Sequence, residues 1–317
     1  MDTIYFLVQQ TMFFSIPLLL TALGGMFSER SGVVNIALEG IMIIGAFAGI
    51  FFISRFGANF PPMITLSIAM IISALSGLIF SLFHAYAAIS MSADQVISGT
   101  ALNIFAPAFA IYITRAVQVV QQISFVNNFR IESVPILGRI PIIGGLFFKN
   151  TYITTYIGFI ILALSWFLLY KTKFGLRLRA CGEHPQAADS VGINVYKMRY
   201  IGVALSGLLA GLGGLVFVIP TSTNFNATVS GYGFLALAVL IFGQWNPIRI
   251  LYAAFFFGLM KTLASAYSGI PILADLPIQN NIYKMIPYIT TIIVLAFTSK
   301  NSQAPKASGT AYDKSVR

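Results

Sequence analysis

Long apolar runs, separated by short polar stretches, recur along almost the whole chain. A helix that crosses a membrane needs roughly 20 mostly apolar residues, because the hydrocarbon core is about 30 Å thick. The apolar runs predict nine spanning helices, at 4–26, 34–53, 63–84, 96–117, 151–170, 200–220, 231–245, 247–269 and 281–299. The run at 231–245 is short, so we expect it to form a tight hairpin or a partly broken pair with the next run. A further apolar stretch at 136–148 is a candidate for a re-entrant segment or a tenth element.

The composition agrees with this pattern. Of the 317 residues, 57% are hydrophobic and 9% are charged, whereas about a quarter of the residues in a typical soluble protein are charged. The predicted fold class is an all-α, polytopic bundle of nine or ten transmembrane helices. Residues 1–299 are expected to form one membrane domain and residues 300–317 a flexible cytoplasmic tail. The first residues lack the basic segment and cleavage site of a secretory signal, so we expect the first helix to stay in the protein.

The net charge of +10 arises from 19 Lys and Arg against 9 Asp and Glu, and the basic residues lie in loops between apolar runs. A nucleic-acid-binding protein would gather them on one folded face, so binding of nucleic acid is not expected. Cytoplasmic loops of membrane proteins are enriched in Lys and Arg. The loop 171–199 carries six of these residues and the tail after residue 299 carries four, so both are predicted to be cytoplasmic. Arg249, in the turn between two later spans, agrees with that topology.

The side on which the chain begins depends on the number of spans. Five spans before residue 171 place the N-terminus outside, whereas a sixth element at 136–148 or a break near residue 30 places it inside. We predict ten elements with both ends in the cytoplasm.

The loop 171–199 contains helix signals of its own. Gly182 is expected to end one helix, and Glu183–Ser190 is expected to form a short helix with Pro185 in its first turn. Gly192 then ends that helix. A short helix between basic segments at the membrane surface is a docking element for a partner, and the alternative is an ordinary solvated loop.

Polar residues interrupt the start of the second apolar run. Asn35 and Glu39 lie four residues apart and are predicted to share one face of a helix. Charged groups in membrane segments usually face the protein interior or a water-filled path. These two residues, together with Asn103 in the fourth run, are therefore candidates for lining the path of a small polar solute. The alternative for Glu39 is a place at the interface, held by Arg30 or by neighbouring backbone.

Other polar residues in the runs have simpler explanations. Lys261 is expected to extend its side chain to the interface, and Asp94 to cap the following helix. Ser206 lies in the glycine-rich sequence "SGLLAGLGGL", which is first of all a packing surface.

Catalytic and metal-binding motifs are absent from the sequence. The chain contains no G-x-x-x-x-G-K-[ST] motif, the sequence that binds ATP phosphates. Its only histidines are His84 and His184, and its only cysteine is Cys181. We therefore expect no enzyme activity, no metal and no cofactor.

A weak internal similarity links two segments. Residues 31–39, "SGVVNIALE", and 230–238, "SGYGFLALA", share four residues in nine positions without gaps. Many transporters contain internal repeats, although a match this short also arises by chance.

Four stretches together resemble a known family. They are "LLLTALGGMFSERSGVVNIALEGIMIIGAFAG" (18–49), "FGLRLRACGEHPQAADSVGINV" (174–195), "GYGFLALAVLIFGQWNP" (231–247) and "IPYITTIIVLAF" (286–297). The chain resembles, along nearly its whole length, the integral permeases of bacterial ABC importers that include branched-chain amino acid and ribose permeases. The stretch "SERSGVVNIALEG" looks most like the nucleoside branch, whose permeases work with lipoprotein receptors of the basic membrane protein type.

This resemblance implies a permease of about ten helices in the bacterial cell membrane that pairs with a second, similar permease. It also implies two cytoplasmic ATP-binding subunits, which hydrolyse the ATP, and an external substrate-binding lipoprotein. The segment that couples the permease to the ATPases would consist of Glu183, His184, Pro185, Gln186, Ala187, Ala188, Asp189, Ser190, Val191, Gly192 and Ile193.

Several functions remain open at this point. The leading hypothesis is import of a nucleoside, and the same importer class also carries sugars, branched-chain amino acids and autoinducers. An ion-coupled secondary transporter would need a buried acidic relay, for which the sequence offers only Glu39. An intramembrane enzyme would need a nucleophile with a general base, and the histidines are poorly placed for that role.

Overall fold

The computed structural model of the protein describes residues 2–135, 137–266, 280–298 and 304–314. Within these ranges the chain forms twelve α-helices: α1 (Asp2–Arg30), α2 (Leu38–Phe56), α3 (Pro62–Ala85), α4 (Gln95–Gln118), α5 (Ile143–Phe147), α6 (Ile153–Lys171), α7 (Lys173–Glu183), α8 (Pro185–Ser190), α9 (Val195–Thr221), α10 (Tyr232–Phe242), α11 (Pro247–Ala266) and α12 (Asn280–Thr298). Parts of the predictions lie outside the described residues: residue 136, residues 267–269 of the eighth run, residue 299, Lys300 and Arg317.

The predicted all-α, multi-pass bundle is confirmed. Among the described residues, seven helices are long and apolar enough to cross a membrane: α1, α2, α3, α4, α6, α9 and α11. Helix α10 is apolar but has 11 residues, so it is about 16 Å long and spans only about half of a bilayer. With α12, these helices follow the nine apolar runs one for one.

The tenth element predicted at 136–148 does not span the membrane. This stretch forms a 3-10 turn at Leu137–Arg139 and the five-residue helix α5, which is about 7.5 Å long. Pro141 separates this turn from α5, and the glycines at 144 and 145 lower the helix propensity of α5 itself. The segment lies between two short strands, β2 (Ile131–Ser133) and β3 (Lys149–Thr151), which pair antiparallel.

The two described ends of the chain lie near opposite ends of α1, which differs from the predicted arrangement with both ends on one side. Helix α1 has 29 residues and is about 43 Å long. Its last residue, Arg30, lies 3.7 Å from Glu183 at the end of α7, whereas Gln9 near its start donates a hydrogen bond to the carbonyl of Gly145, 2.8 Å away. The described C-terminal residues contact α7, at the Arg30 end. The predicted arrangement depended on counting 136–148 as a span, and this stretch forms only a 3-10 turn and the short helix α5.

Helices α1 and α9 form the centre of the bundle. Helix α1 packs on α10 and α11, which follow α9, and helix α9 packs on α2 and α3, which follow α1. Each central helix thus packs on the helices that follow the other one, as expected of two related halves. The similar segments 31–39 and 230–238 occupy equivalent places, because the first leads into α2, which follows α1, and the second leads into α10, which follows α9.

Small residues allow the central helices to approach closely, as the sequence "SGLLAGLGGL" predicted. A Cβ atom on Gly211 in α9 would lie 2.5 Å from the carbonyl oxygen of Ser73 and 2.8 Å from the Cα atom of Gly77, both in α3. Any larger residue at this position would push the helices apart. The Ser73 hydroxyl also donates a 2.7 Å hydrogen bond to the Gly211 carbonyl.

Polar side chains end or begin several helices, as expected. The carboxylate of Asp94 accepts hydrogen bonds from the amides of Val96 and Ile97 at 2.8 and 2.9 Å, which confirms its predicted role as the cap of α4. Asn194 caps α9 in the same way through the amide of Lys197. Beyond the other ends of α4 and α9, strand β1 (Ile123–Ser124) pairs antiparallel with β4 (Asn224–Phe225).

Candidate functional site

The α1–α2 connection (residues 31–37) is a non-helical segment inside the bundle. Several polar side chains are bonded to it or to the helix that follows, and most of its residues are buried. Backbone N–H and C=O groups buried in a membrane protein need partners within the protein. The connection therefore determines where polar side chains are required.

Asn35 lies in this connection and not on α2, which begins at Leu38. The prediction that Asn35 and Glu39 share one helical face is therefore wrong. Asn35 is fully buried, and its amide donates a 2.9 Å hydrogen bond to the Ser206 hydroxyl on α9. Its side-chain oxygen accepts a hydrogen bond from the amide of Ala37 at 3.1 Å, next to the start of α2.

Glu39 binds the start of the short helix α10. Its two carboxylate oxygens accept hydrogen bonds from the amides of Gly231 and Gly233, at 2.9 and 2.6 Å. A negative charge is favourable at a helix N-terminus, where the first N–H groups lack intrahelical partners. The sequence left two partners open for this carboxylate, neighbouring backbone or Arg30. The structure shows backbone, and Arg30 donates to the carbonyl of Trp245.

Asn103 completes the start of α2. Its side-chain oxygen accepts a 2.7 Å hydrogen bond from the amide of Gly40, and its amide donates to the carbonyl of Ile36 at 2.9 Å. The three predicted pathway residues are thus brought together around the starts of two helices. Asn35 and Asn103 bind the start of α2, and Glu39 binds the start of α10.

Two further residues of this cluster were not predicted from the sequence. Nε2 of His84 lies 2.9 Å from the carbonyl oxygen of Val34, so this nitrogen carries a proton, and Nδ1 lies 2.7 Å from the Ser98 hydroxyl. The side-chain oxygen of Gln95 accepts a 2.7 Å hydrogen bond from the amide of Val34. Both are polar residues at or next to the end of an apolar run, and this position was the feature of the sequence that could have identified them.

The predicted coupling segment begins at the end of α7. Helix α7 continues through Gly182 and ends at Glu183, so Gly182 does not end a helix and Glu183 is not the first residue of the next one. His184 forms the junction, and α8 runs from Pro185 to Ser190 with proline at its first position. Gly192 has a φ of +82°, as expected for the residue that ends the short helix.

Helix α8 has an inner and an outer side. Pro185 and Ala188 are buried against the protein, whereas Gln186 and Ala187 are exposed. Val191, just after the helix, is 74% exposed. An apolar side chain at that exposure, beside a helix with a free outer side, is suited to contact with another protein.

The end of α1 joins the coupling segment to the rest of the bundle. Arg30 lies 3.7 Å from Glu183, and its guanidinium also donates to the carbonyl of Trp245 at 3.2 and 3.3 Å. The neighbouring Glu29 carboxylate accepts a 2.6 Å hydrogen bond from the indole of Trp245. Two adjacent charged residues thus connect α1, α7 and the turn between α10 and α11.

Cys181 lies in α7, two residues before the end of that helix. The side chain is fully buried. Burial raises the pKa of its thiol to about 11, and the nearby Arg199 guanidinium acts in the opposite direction. The thiol is therefore protonated at neutral pH and is a poor nucleophile.

Residues 304–314, which we call the C-terminal strap, were expected to belong to a flexible tail. They instead pack on the protein, with Ala307 and Tyr312 buried. The amide of Ala307 donates to the carbonyl of Gly182 at 2.9 Å. Arg199 in α9 donates to the carbonyl of Thr310 at 2.9 Å. Two buried side chains and these hydrogen bonds hold a segment whose composition gives no sign of order.

Residues 7–295 match the family described as "Branched-chain amino acid transport system / permease component". The guanosine ABC transporter permease protein NupQ of Bacillus subtilis is 47% identical over 317 residues, which cover 98% of this chain and 97% of the relative. The nucleoside ABC transporter permease protein NupC of Lactococcus lactis subsp. cremoris is 42% identical and covers 99% of this chain and 98% of the relative.

A third relative has a different name. The putative glucose ABC transporter permease protein TsgC13 of Haloferax volcanii is 32% identical over 88% of this chain and 87% of its own length. No solved structure matches the chain. The match over nearly the whole length, together with the multi-pass bundle, agrees with the prediction of a permease and not an enzyme. The chain therefore belongs to the family of branched-chain amino acid transport system permease components, as a membrane-spanning subunit of an ABC importer.

Proposed function

We propose that this permease imports nucleosides, with guanosine as the first to test. The observation that supports this cargo is the similarity to two full-length relatives, 47% and 42% identical, whose names specify guanosine and nucleosides. The relative named for glucose is 32% identical. A sugar is therefore the second candidate.

The proposed orientation places the loop 171–199 and the C-terminal strap in the cytoplasm. The support is the positive charge of that loop, six Lys and Arg in 29 residues, because such residues are retained on the cytoplasmic side. Helix α1 then begins outside and ends inside. Residues 119–152, with the short helix α5, face the exterior, where a substrate-binding lipoprotein delivers its cargo.

The proposed partners are two cytoplasmic ATP-binding subunits, a second permease similar to this one and the external lipoprotein. The coupling segment, Glu183 to Ile193, docks on an ATP-binding subunit through the exposed side of α8. Its buried side, with Pro185 and Ala188, transmits movement to the bundle. No chemistry takes place in this chain. Its two conformations are selected by the state of the partners, which requires that they differ in affinity for each conformation.

We keep Asn35, Glu39 and Asn103 as proposed pathway residues, with a more specific role. Their hydrogen bonds fix the starts of α2 and α10 in the middle of the bundle. The non-helical α1–α2 connection and the half-length helix α10 leave polar backbone at membrane depth, which is typical of solute sites in transporters. In this proposal the three residues shape the path, and residues 1–299 form the permease domain that contains it.

The experiment is uptake of radiolabelled guanosine by cells with and without the gene, in competition with unlabelled adenosine, glucose and leucine. We expect uptake that depends on the gene and on ATP, reduced by adenosine but not by glucose or leucine. Competition by glucose and not by adenosine would favour a sugar as the cargo. Uptake that follows a proton or sodium gradient, in the absence of ATP, would contradict the importer mechanism.

A further inference from the structure

The C-terminal strap touches three elements that surround the coupling segment. At the end of α7, the Ala307 amide donates to the Gly182 carbonyl at 2.9 Å. At the α1–α2 connection, the Gly309 amide donates to the Gly32 carbonyl at 3.3 Å. At α9, the Tyr196 hydroxyl donates to the carbonyl of Tyr312 at 3.3 Å. The strap therefore joins the helix before α8, the helix after it and the connection that carries Asn35.

Arg199 forms the centre of this contact. Its side chain is 1% exposed, donates to the Thr310 carbonyl and lies 5.8 Å from the centroid of the Tyr312 ring. A buried guanidinium needs acceptors or an aromatic face. The strap supplies both, so its removal would expose this charge to water. The Tyr312 ring also packs edge-on against Tyr196, with centroids 5.3 Å apart.

A second connection between the same elements is much weaker. The Arg30–Glu183 ion pair has a separation of 3.7 Å, and the Glu183 side chain is 40% exposed. Ion pairs that are this exposed contribute little to stability and are screened by salt. The strap, with several backbone hydrogen bonds and a buried aromatic ring, is the stronger attachment of the two.

We propose that the C-terminal strap is a positioning element, which fastens the end of α7 to the α1–α2 connection so that movement of α8 reaches Asn35. The inference rests on the proposed function, because it assumes that an ATP-binding subunit moves α8. The route has defined steps. The strap holds Gly182 and Gly32, and the connection that contains Gly32 leads to Asn35, which is bonded to Ser206 on the central helix α9.

Gly309 offers a specific test of the strap. Its φ is +83°, in the left-handed region that β-branched residues rarely adopt and that asparagine tolerates. A Cβ atom at this position would lie 3.5 Å from Val34, which is an ordinary contact. Gly309→Val is therefore strained by its backbone alone, whereas Gly309→Asn fits. Lys306→Ala is a further control, because Lys306 is exposed and contributes its backbone amide.

The experiment uses the complete importer, with its ATP-binding subunits, second permease and receptor, in proteoliposomes. It compares wild type, a chain ending at residue 303, Gly309→Val, Gly309→Asn and Lys306→Ala. The measurement is guanosine transported per ATP hydrolysed in equal amounts of assembled complex. We expect this ratio to fall at least about fivefold in the truncated chain and in Gly309→Val, with ATP hydrolysis retained. Gly309→Asn and Lys306→Ala should keep the wild-type ratio.

An unchanged ratio in the truncated complex would overturn the proposal. So would a parallel loss of ATP hydrolysis and transport with fewer assembled complexes, because that result indicates a structural role alone.

A readout that needs no cargo separates this test from the proposed function. Deuterium uptake by the peptide containing residues 31–37 should change when ATP binds the wild-type complex and stay constant in the truncated one. If wild type transports no nucleoside, this exchange difference still supports the strap, and its absence overturns it.

Discussion

Residues 31–39 and residues 183–193 both contain breaks between helices, but the first segment is largely buried within the protein and the second is largely exposed. In the first segment, Asn35 is fully buried and Glu39 is bonded to the amides of Gly231 and Gly233. In the second, His184 and Ala187 are exposed, and Val191 is 74% exposed. The first segment is complete within the chain, whereas the second presents a surface that a partner can cover.

In the proposed function, this difference separates residues that shape the permease from residues that contact an ATP-binding subunit. Substitution in the first segment leaves buried N–H groups without acceptors, so its cost falls on the folded protein. Substitution on the exposed side of α8 removes no internal contact, so under the proposed function its cost falls on the contact with an ATP-binding subunit. The two segments can therefore be distinguished by which measurement changes.

The largest effect is expected for Glu39→Leu. The substitution removes the acceptor for the amides of Gly231 and Gly233, and each buried donor left unpaired costs about 1–3 kcal/mol. Against a typical total stability of about 5–15 kcal/mol, this loss should lower the melting temperature and the yield of monodisperse permease. The measurement is thermal unfolding and size-exclusion chromatography in detergent. Glu39→Gln, which keeps one acceptor, should lose less.

The opposite result would change the comparison. If Glu39→Leu melts like wild type but fails to transport, the carboxylate acts on the cargo and not on the start of α10. Asn35→Leu provides a second example, because it removes one bond to Ser206 and one acceptor for the amide of Ala37.

An intermediate effect is expected for Ala187→Trp on the exposed side of α8. The indole should block docking of an ATP-binding subunit without disturbing the interior, so transport should fall by about tenfold or more, equivalent to about 1.4 kcal/mol of lost docking energy. The melting temperature of the isolated permease should not change. Ala187→Ser is the matched control and should transport normally. Normal transport by Ala187→Trp would remove α8 from the docking surface.

The smallest effect concerns Cys181, which borders both regions through α7. Because its thiol has a pKa of about 11, maleimide should label the folded permease very slowly at pH 7 and faster toward pH 10, by about tenfold per pH unit. Stability should decline slightly above pH 9, where the unfolded thiol loses its proton and the folded one keeps it. Complete labelling at pH 7 without denaturant would mean that α7 is not packed as described.

Much of the fold could be predicted from the sequence because membrane spans depend on local composition. The nine apolar runs correspond to α1–α4, α6 and α9–α12, and Asp94 and Gly192 act at the helix ends where local rules place them. The same local rules failed at 136–148, because apolarity alone does not make a long helix in a short stretch that contains a proline and three glycines.

The polar contacts could be predicted only in part. Asn35, Glu39 and Asn103 were selected because polar residues in membrane runs are unusual, yet their partners depend on packing between distant segments. Gly231 lies 192 residues after Glu39, and no local pattern links the two. The strap was missed for the same reason. Its contacts to Gly32 and Gly182 are long-range, and its own sequence is short and largely polar.

The half-length helix α10 also has a consequence for how the protein is made. With 11 residues, it is too short to enter a bilayer as an independent span, so we expect it to enter together with α11 as a hairpin. Glu39 is synthesised 192 residues before Gly231, which at about 5–20 residues per second is a wait of about 10–40 s. During that interval the carboxylate lacks the amides that will hold it. The arrival of α10 is thus the step in biosynthesis at which we expect the hydrogen bonds of Glu39 to form.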